Sequence, residues 1–324
     1  MKKRIIIFGG SGFLGTNLSK KLALLNYEVI VIDINNKNIQ FLNNIKFIKM
    51  DLTRINIEEN FNFKKSDIFI NLASRQYHNK IPYLRRQEWF DDLNFNTSKN
   101  IMKLALKYNV SGFIFFSTDM VYGLPSDKNF NELDLTNPIG EYGKSKLKAE
   151  KSLIKLANNN LPLTIFRPRL ISGSGRLGIF KKLFNHIHNN KVVPLIGNGN
   201  NCYQMVSVDD CSSAVMLAIE KNIPNEIFNL GSKEKISVKN LIKNLIIYAN
   251  SNSSILPINA QLIKRILYLC DFIGLSMMYK EQYSIADKNI YLDISKANNI
   301  LNWYPKYDDQ LMINNAFDYW KNSI

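Results

Sequence analysis

Cysteine is scarce in this chain of 324 residues. The three present, Cys202, Cys211 and Cys270, are an odd number without metal-ligand spacing, and the three histidines form no cluster with them. A disulfide framework and a metal centre are excluded as organising features, and a reducing cytoplasm is the expected compartment. Long apolar runs are also missing. The run at 5–8 that follows the basic residues 2–4 is too short for a signal-peptide core and reads as the start of a strand. The most apolar late stretch, 262–279, is interrupted by Lys264, Arg265 and Asp271. That excludes a membrane span and predicts an amphipathic helix near a substrate cleft, with a membrane-surface helix as the alternative. Internal repeats are absent, and asparagine runs such as 158–160 are short enough to be loop tips. Acidic residues are few, 27 against 42 basic, for a formal charge of +15. The lysine pairs at 2–3, 20–21, 64–65 and 181–182 are dispersed and build no basic block, so solvated faces are expected and no nucleic-acid partner.

What the chain does have starts at once. Arg4 to Phe8 reads as a strand, Gly9-Gly10-Ser11-Gly12-Phe13-Leu14-Gly15 as a glycine turn opening a helix, and Glu28 to Asp33 as a second strand. In such a unit Gly9 permits the tight turn, Gly12 lets backbone N–H groups approach a pyrophosphate, and Gly15 lets the helix pack close to its strand. The helix N-terminus adds positive dipole. Asp33 ends the second strand, where a carboxylate accepts hydrogen bonds from a ribose and repels a 2′-phosphate. A dinucleotide is therefore expected, and NAD rather than NADP.

Tyr142 and Lys146 stand four residues apart, which on a helix puts a phenol and an ammonium on one face. A nearby lysine charge makes a phenolate available as a base near neutral pH. Upstream, the apolar run 112–116 delivers Ser117 and Thr118 at its C-terminal end, where doubly wound sheets bind their ligands. Strand patterns near 3–8, 28–32, 46–50, 67–71, 111–116 and 163–166 alternate with helical ones, which predicts an α/β fold with a parallel sheet.

With these segments the chain resembles the extended short-chain dehydrogenase/reductase family, the NAD-dependent nucleotide-sugar epimerases and dehydratases. Further markers are Asp51-Leu52, Asn71-Leu72-Ala73-Ser74, a helix start at 94–100, and 117–123 with 142–146. In the second half they are 197–199, 208–210, 228–231, 293–297 and 301–305. The resemblance implies a Rossmann-type doubly wound sheet at 1–170 plus about 202–231, with a smaller substrate-binding portion at 171–201 and 232–324. It implies NAD contacts from Gly9, Ser11, Gly12, Phe13, Leu14, Gly15, Asp33, Asp51, Leu52, Leu72, Ala73, Ser74, Asn94, Tyr142 and Lys146. Tyr142 would be the acid/base, Lys146 would lower its pKa and bind the nicotinamide ribose, and Thr118 would hold the reacting hydroxyl. Substrate contacts are expected from Thr118, Asp119, Met120, Arg169, Arg176, Tyr203 and Gln204. A homodimer through helices at 94–108 and 143–157 is the implied assembly.

Departures from the family pattern narrow the reading. Met120 stands where 4,6-dehydratases carry a glutamate that removes a proton, and a thioether cannot do so. C3/C5 epimerases place a cysteine near the same spot. Leu170 and Tyr203 replace an asparagine and an arginine of UDP-hexose enzymes. The expected activity is chemistry at one carbinol carbon of a nucleotide sugar, a 4-epimerase working by transient C4 oxidation. The alternatives are a C4 dehydrogenase, a 4-keto reductase, a 4,6-dehydratase, a steroid-like alcohol dehydrogenase and a non-catalytic NAD-binding protein.

Overall fold

Ile5 and Ile7 of the first strand pack on one face of a sheet and Ile6 and Phe8 on the other, all fully buried. The computed structural model that shows this describes residues 3–36, 39, 44–54, 61–77, 81–125, 129–175 and 180–324. Burial on both faces is the condition of a parallel sheet covered by helices, and it accounts for the unbroken apolar run of β1 (Arg4–Phe8).

After β1 come α1 (Phe13–Leu24), β2 (Glu28–Asp33), β3 (Ile45–Lys49), β4 (Ile68–Asn71) and α2 (Arg86–Asp91). A π-helical stretch, Asp92–Thr97, leads directly into α3 (Ser98–Lys107), followed by β5 (Gly112–Phe116) and a 3-10 turn, Asp119–Val121. Next are α4 (Glu141–Ala157), β6 (Leu163–Pro168), β7 (Leu170–Ser172), α5 (Phe180–His188), β8 (Val193–Ile196) and β9 (Met205–Ser207). The chain ends with α6 (Val208–Glu220), β10 (Ile227–Leu230), α7 (Val238–Tyr248), β11 (Ile255–Ile258), α8 (Ala260–Phe272), α9 (Lys280–Tyr283), α10 (Ser295–Leu301) and α11 (Asp309–Lys321).

Seven strands form one parallel sheet in the order β10-β6-β5-β4-β1-β2-β3, a Rossmann-type doubly wound α/β fold. The strand order reverses between β1 and β4, and a crevice opens beyond their carboxyl ends. One face is covered by α1, α6 and α10, with Leu18, Val215 and Trp303 in its core; the other by α3 and α4, with Ile101 and Leu153. A second core joins α5, α7 and α11 through Phe184, Leu245, Phe317 and Trp320, beside the small parallel pair β8–β11.

Two sequence expectations are corrected here. Asn94 does not start a helix: α2, the π-helical stretch and α3 run on from 86 to 107 without an intervening cap, and Asn94 lies in the wider-wound middle. The stretch at 262–279 does form a helix, α8, started by the Asn259 side chain, which accepts the N–H groups of Gln261 and Leu262. It does not reach the main cleft, whose lining among the described residues includes none of 260–279. Among the described residues, no helix is long and apolar enough to cross a membrane and no cluster of potential metal ligands occurs.

Candidate active site

A cleft of about 1140 Å³ lies at the carboxyl ends of the sheet strands. Its floor is the turn between β1 and α1. Gly9 has φ +76°, and a Cβ there would lie 2.5 Å from the Ala73 backbone; a Cβ on Gly15 would lie 2.5 Å from the Gly10 backbone. Both positions are closed to any side chain by the protein itself. A Cβ on Gly12 would meet only the Gly9 carbonyl oxygen, at 3.4 Å. Nothing in the protein demands glycine at 12, which is what a surface reserved for an approaching phosphate requires.

Asp33 at the end of β2 accepts the Ser11 N–H at 2.9 Å and the Ile34 N–H at 2.7 Å, so the acid also braces the glycine turn. Asp51 accepts both the Thr53 N–H and its hydroxyl, contacts that hold its carboxyl below the usual range. With Phe13, Leu14, Leu52, Leu72, Ala73 and Ser74, these residues line one end of the cleft. Ser117 Oγ, in the same lining, is buried and makes no hydrogen bond among the described residues. The open face at Gly12, the carboxylate at Asp33 and this orphaned hydroxyl together fit a dinucleotide.

Helix α4 brings Tyr142 and Lys146 to the cleft wall opposite Thr118, which ends the extended segment after β5. Thr118 Oγ1 accepts the Met120 N–H at 3.2 Å and reaches the Asp119 carboxylate at 3.3 Å, which fixes the side chain at the head of the 3-10 turn. Gln76 Nε2 donates to the Tyr142 hydroxyl at 3.4 Å. Lys146 is buried; its Nζ donates to the Phe116 carbonyl at 2.6 Å and lies 4.5 Å from the Phe115 ring centre. Burial pushes its pKa down to about 7, against the opposing pull of Glu150.

Two arginines two residues apart, Arg167 on β6 and Arg169 in the bend just after it, meet different fates. Arg167 pairs with Glu150 of α4 at 2.6 Å and donates to Tyr122, whose hydroxyl donates to Asn229, an entirely buried network tying β6, α4 and β10 together. Arg169 lines the cleft, is 2 % exposed, pairs with the Asp119 carboxylate and lies 4.4 Å from the Tyr203 ring centre. Met120 is half-buried, and a small cavity behind it is shared with Asp119 and Glu281 of α9.

The remaining sequence candidates separate. Asn94 is fully buried, just behind the cleft lining formed by Leu93, Ser74 and Arg75; its amide accepts the Arg75 N–H at 2.8 Å and donates to Ser145 at 3.0 Å, so it holds the loop after β4 to α4. Gln204 is likewise turned inward, donating to Ser232 O and accepting from Leu292 N, because the crossing chain needs both groups satisfied. Arg176 lies outside the described residues.

The sequence reading missed three contributors. Arg75 lines the cleft with its guanidinium 5.0 Å from the Trp89 ring centre, and Gln76 reaches Tyr142. Glu281 is 2 % exposed, accepts the Gly143 N–H at 2.9 Å and takes a short hydrogen bond from the Tyr77 hydroxyl. Arg75 and Gln76 directly follow the 71–74 marker and were the discoverable ones; nothing local announces Glu281.

Comparison with known proteins gives one family and one fold. A family model described as the NAD dependent epimerase/dehydratase family matches residues 5–231. The dTDP-D-glucose 4,6-dehydratase of Homo sapiens is 28% identical over 258 residues, covering 75% of this chain and 73% of its own. The UDP-glucose 4-epimerase of Vibrio cholerae is 24% identical over 264 residues, covering 80% and 79%. Among solved structures, the UDP-glucuronic acid 4-epimerase of Bacillus cereus in complex with NAD superposes with a TM-score of 0.79 at 22% identity, covering 98% of this chain and 99% of the other.

Proposed function

Because this chain belongs to the NAD dependent epimerase/dehydratase family and so takes NAD as its cofactor, we propose that it is a nucleotide-sugar 4-epimerase acting by transient oxidation at C4. Its relatives carry the names of both 4-epimerases and 4,6-dehydratases. The observation that carries the choice is at 119–120. Elimination of water needs an acid and a base beside the ketone, and here the carboxylate is paired with the buried Arg169 and the next side chain is a thioether. Glu281, which shares the small cavity behind Met120, is engaged by Gly143 and Tyr77 and does not line the cleft.

NAD would be held by the glycine turn, Asp33, Asp51, Ser74 and Lys146, and supplies a hydride acceptor that can return the hydride to the opposite face. Tyr142 takes the proton of the sugar hydroxyl and gives it back after the ketone has turned. Thr118, fixed by its own turn, orients that hydroxyl, and the Lys146 ammonium favours the phenolate. Lys20, Arg54, Arg75 and Arg169 in the cleft lining favour an anionic nucleotide sugar over an apolar alcohol. The proposal also takes α3 and α4 as the contact of a homodimer and places the protein, with its three free thiols, in the cytoplasm.

The deciding experiment incubates the purified protein with a panel of nucleotide sugars, following the NADH absorbance band and the product by NMR. A C4 epimer without net cofactor change supports the proposal. Stoichiometric NADH or a released keto sugar would sink it in favour of a dehydrogenase, consumption of added NADH in favour of a keto reductase, and a 6-deoxy-4-keto product in favour of a dehydratase.

A further inference from the structure

Helix α8 exposes apolar side chains while turning part of its charge inward. Its charged side chains Lys264 and Asp271 turn toward the body of the protein, where Lys264 pairs with Asp287, and Asp271 takes both guanidinium nitrogens of Arg86 at 2.8 and 3.1 Å. Its outward face is apolar: Leu262 is 56% exposed, Leu269 59% and Phe272 68%. The segment after the helix continues this face with Ile273 and Leu275, each 65% exposed. A surface helix normally shows the reverse arrangement, and a contiguous apolar patch of this kind marks an interaction surface.

The patch is fixed in place. Tyr83 donates its hydroxyl to the Phe272 carbonyl at 2.6 Å, and its own half-exposed ring joins the apolar face. The charges around it decide the occupant. Arg265 on the outward face and Lys280 just beyond it are exposed, the one acid of the helix is neutralised by Arg86, and the chain carries +15 overall. A second copy seated on this patch would bring its own Arg265 and Lys280 to the contact, whereas an anionic surface complements them. Apolar side chains flanked by tyrosine and basic residues are the makeup of helices that lie in a membrane interface.

We propose that residues 262–277, with Tyr83, form a docking surface for an anionic lipid bilayer, so that the protein associates peripherally with a membrane. This inference is independent of the sugar chemistry, because it requires no turnover.

The test is flotation of the full-length protein with vesicles of phosphatidylcholine alone and with about a third phosphatidylglycerol. The expected result is flotation with the anionic vesicles only, weakened by added salt. In Leu269→Glu/Phe272→Glu the vesicle affinity should fall at least about tenfold, with NAD binding and melting temperature unchanged. Leu275→Glu, outside the helix, should weaken binding in the same direction without touching helix formation. Wild-type protein that stays with the soluble fraction overturns the proposal, as does flotation of both variants equal to that of the wild type. So does a dimer in sedimentation velocity that the double variant dissociates while neither form binds vesicles.

Discussion

Glu281 Oε1 accepts the backbone N–H of Gly143 at 2.9 Å, so a carboxyl from the far end of the chain occupies the first turn of the helix that carries Tyr142 and Lys146. Burial raises this carboxyl to about 7, and Glu141 and Asp119 push the same way, against the hydrogen bonds from Tyr77 and Gly143. The folded state thus keeps a proton that the unfolded chain releases above about 4.5. This contribution to stability is complete below that value and is lost as the pH rises through about 7.

The first prediction follows from that sign. Stability of the wild type, measured by urea unfolding, should decline from about pH 4.5 to about pH 7. Glu281→Gln keeps a hydrogen-bonding amide between Gly143 and Tyr77 and should flatten the decline in part, since Asp309, raised by burial to about 7, and Glu132 and Asp210, also raised by burial, still contribute to it.

Arg169 and Asp119 are a buried ion pair, and removing one member leaves the other charge without compensation. Arg169→Leu should cost about 3–5 kcal/mol in urea unfolding. The double variant with Asp119→Asn should recover most of that loss, and a double variant no more stable than the single would refute the coupling.

The glycine turn separates a folding role from a binding role. Gly15→Ala places a methyl group 2.5 Å from the Gly10 backbone and should lower the melting temperature sharply. Gly12→Ala, whose methyl group meets only the Gly9 carbonyl oxygen at 3.4 Å, should lower that temperature much less and weaken NAD binding, read by titration calorimetry. Equal thermal loss in both would remove the argument that position 12 is kept open for phosphate.

Tyr142→Phe deletes the proposed acid/base while keeping the ring against Tyr77 and Phe90. Turnover should drop by about 10²–10⁴-fold with NAD still bound, the usual worth of a positioned proton donor. Turnover within a few-fold of wild type would move the proton to another group.

The legible parts of the sequence were the local ones. Strands β1 to β6 and the glycine turn could be read because burial on two faces, a tight turn and a close helix approach impose residue types on neighbouring positions, whereas the sheet's seventh strand, β10, and the short strands β7, β8, β9 and β11 were not read as strands. Tyr142 and Lys146 could be read for the same reason, one helical turn apart. What escaped depends on distant pairing. Arg167 and Arg169 stand two residues apart and share a chemistry, and only the fold sends one to Glu150 and the other to Asp119. Asn94 and Gln204 are amides whose patterns fit a ligand contact as well as the internal loops they satisfy. Glu281 lies in a short helix with no motif, and its partners are 138 and 204 positions away.

The indole of Trp303 donates to the Asp210 carbonyl, and the Asp210 carboxylate accepts the N–H groups of Lys306 and Tyr307. Trp303 is wholly buried in the same core as the strands of the glycine-turn half. The nucleotide-binding half is therefore not a portable module. A fragment cut after β10 would expose one wall of its own core and strip the Asp210 carboxylate of the two N–H groups it accepts, so the two halves are expected to fold as one unit.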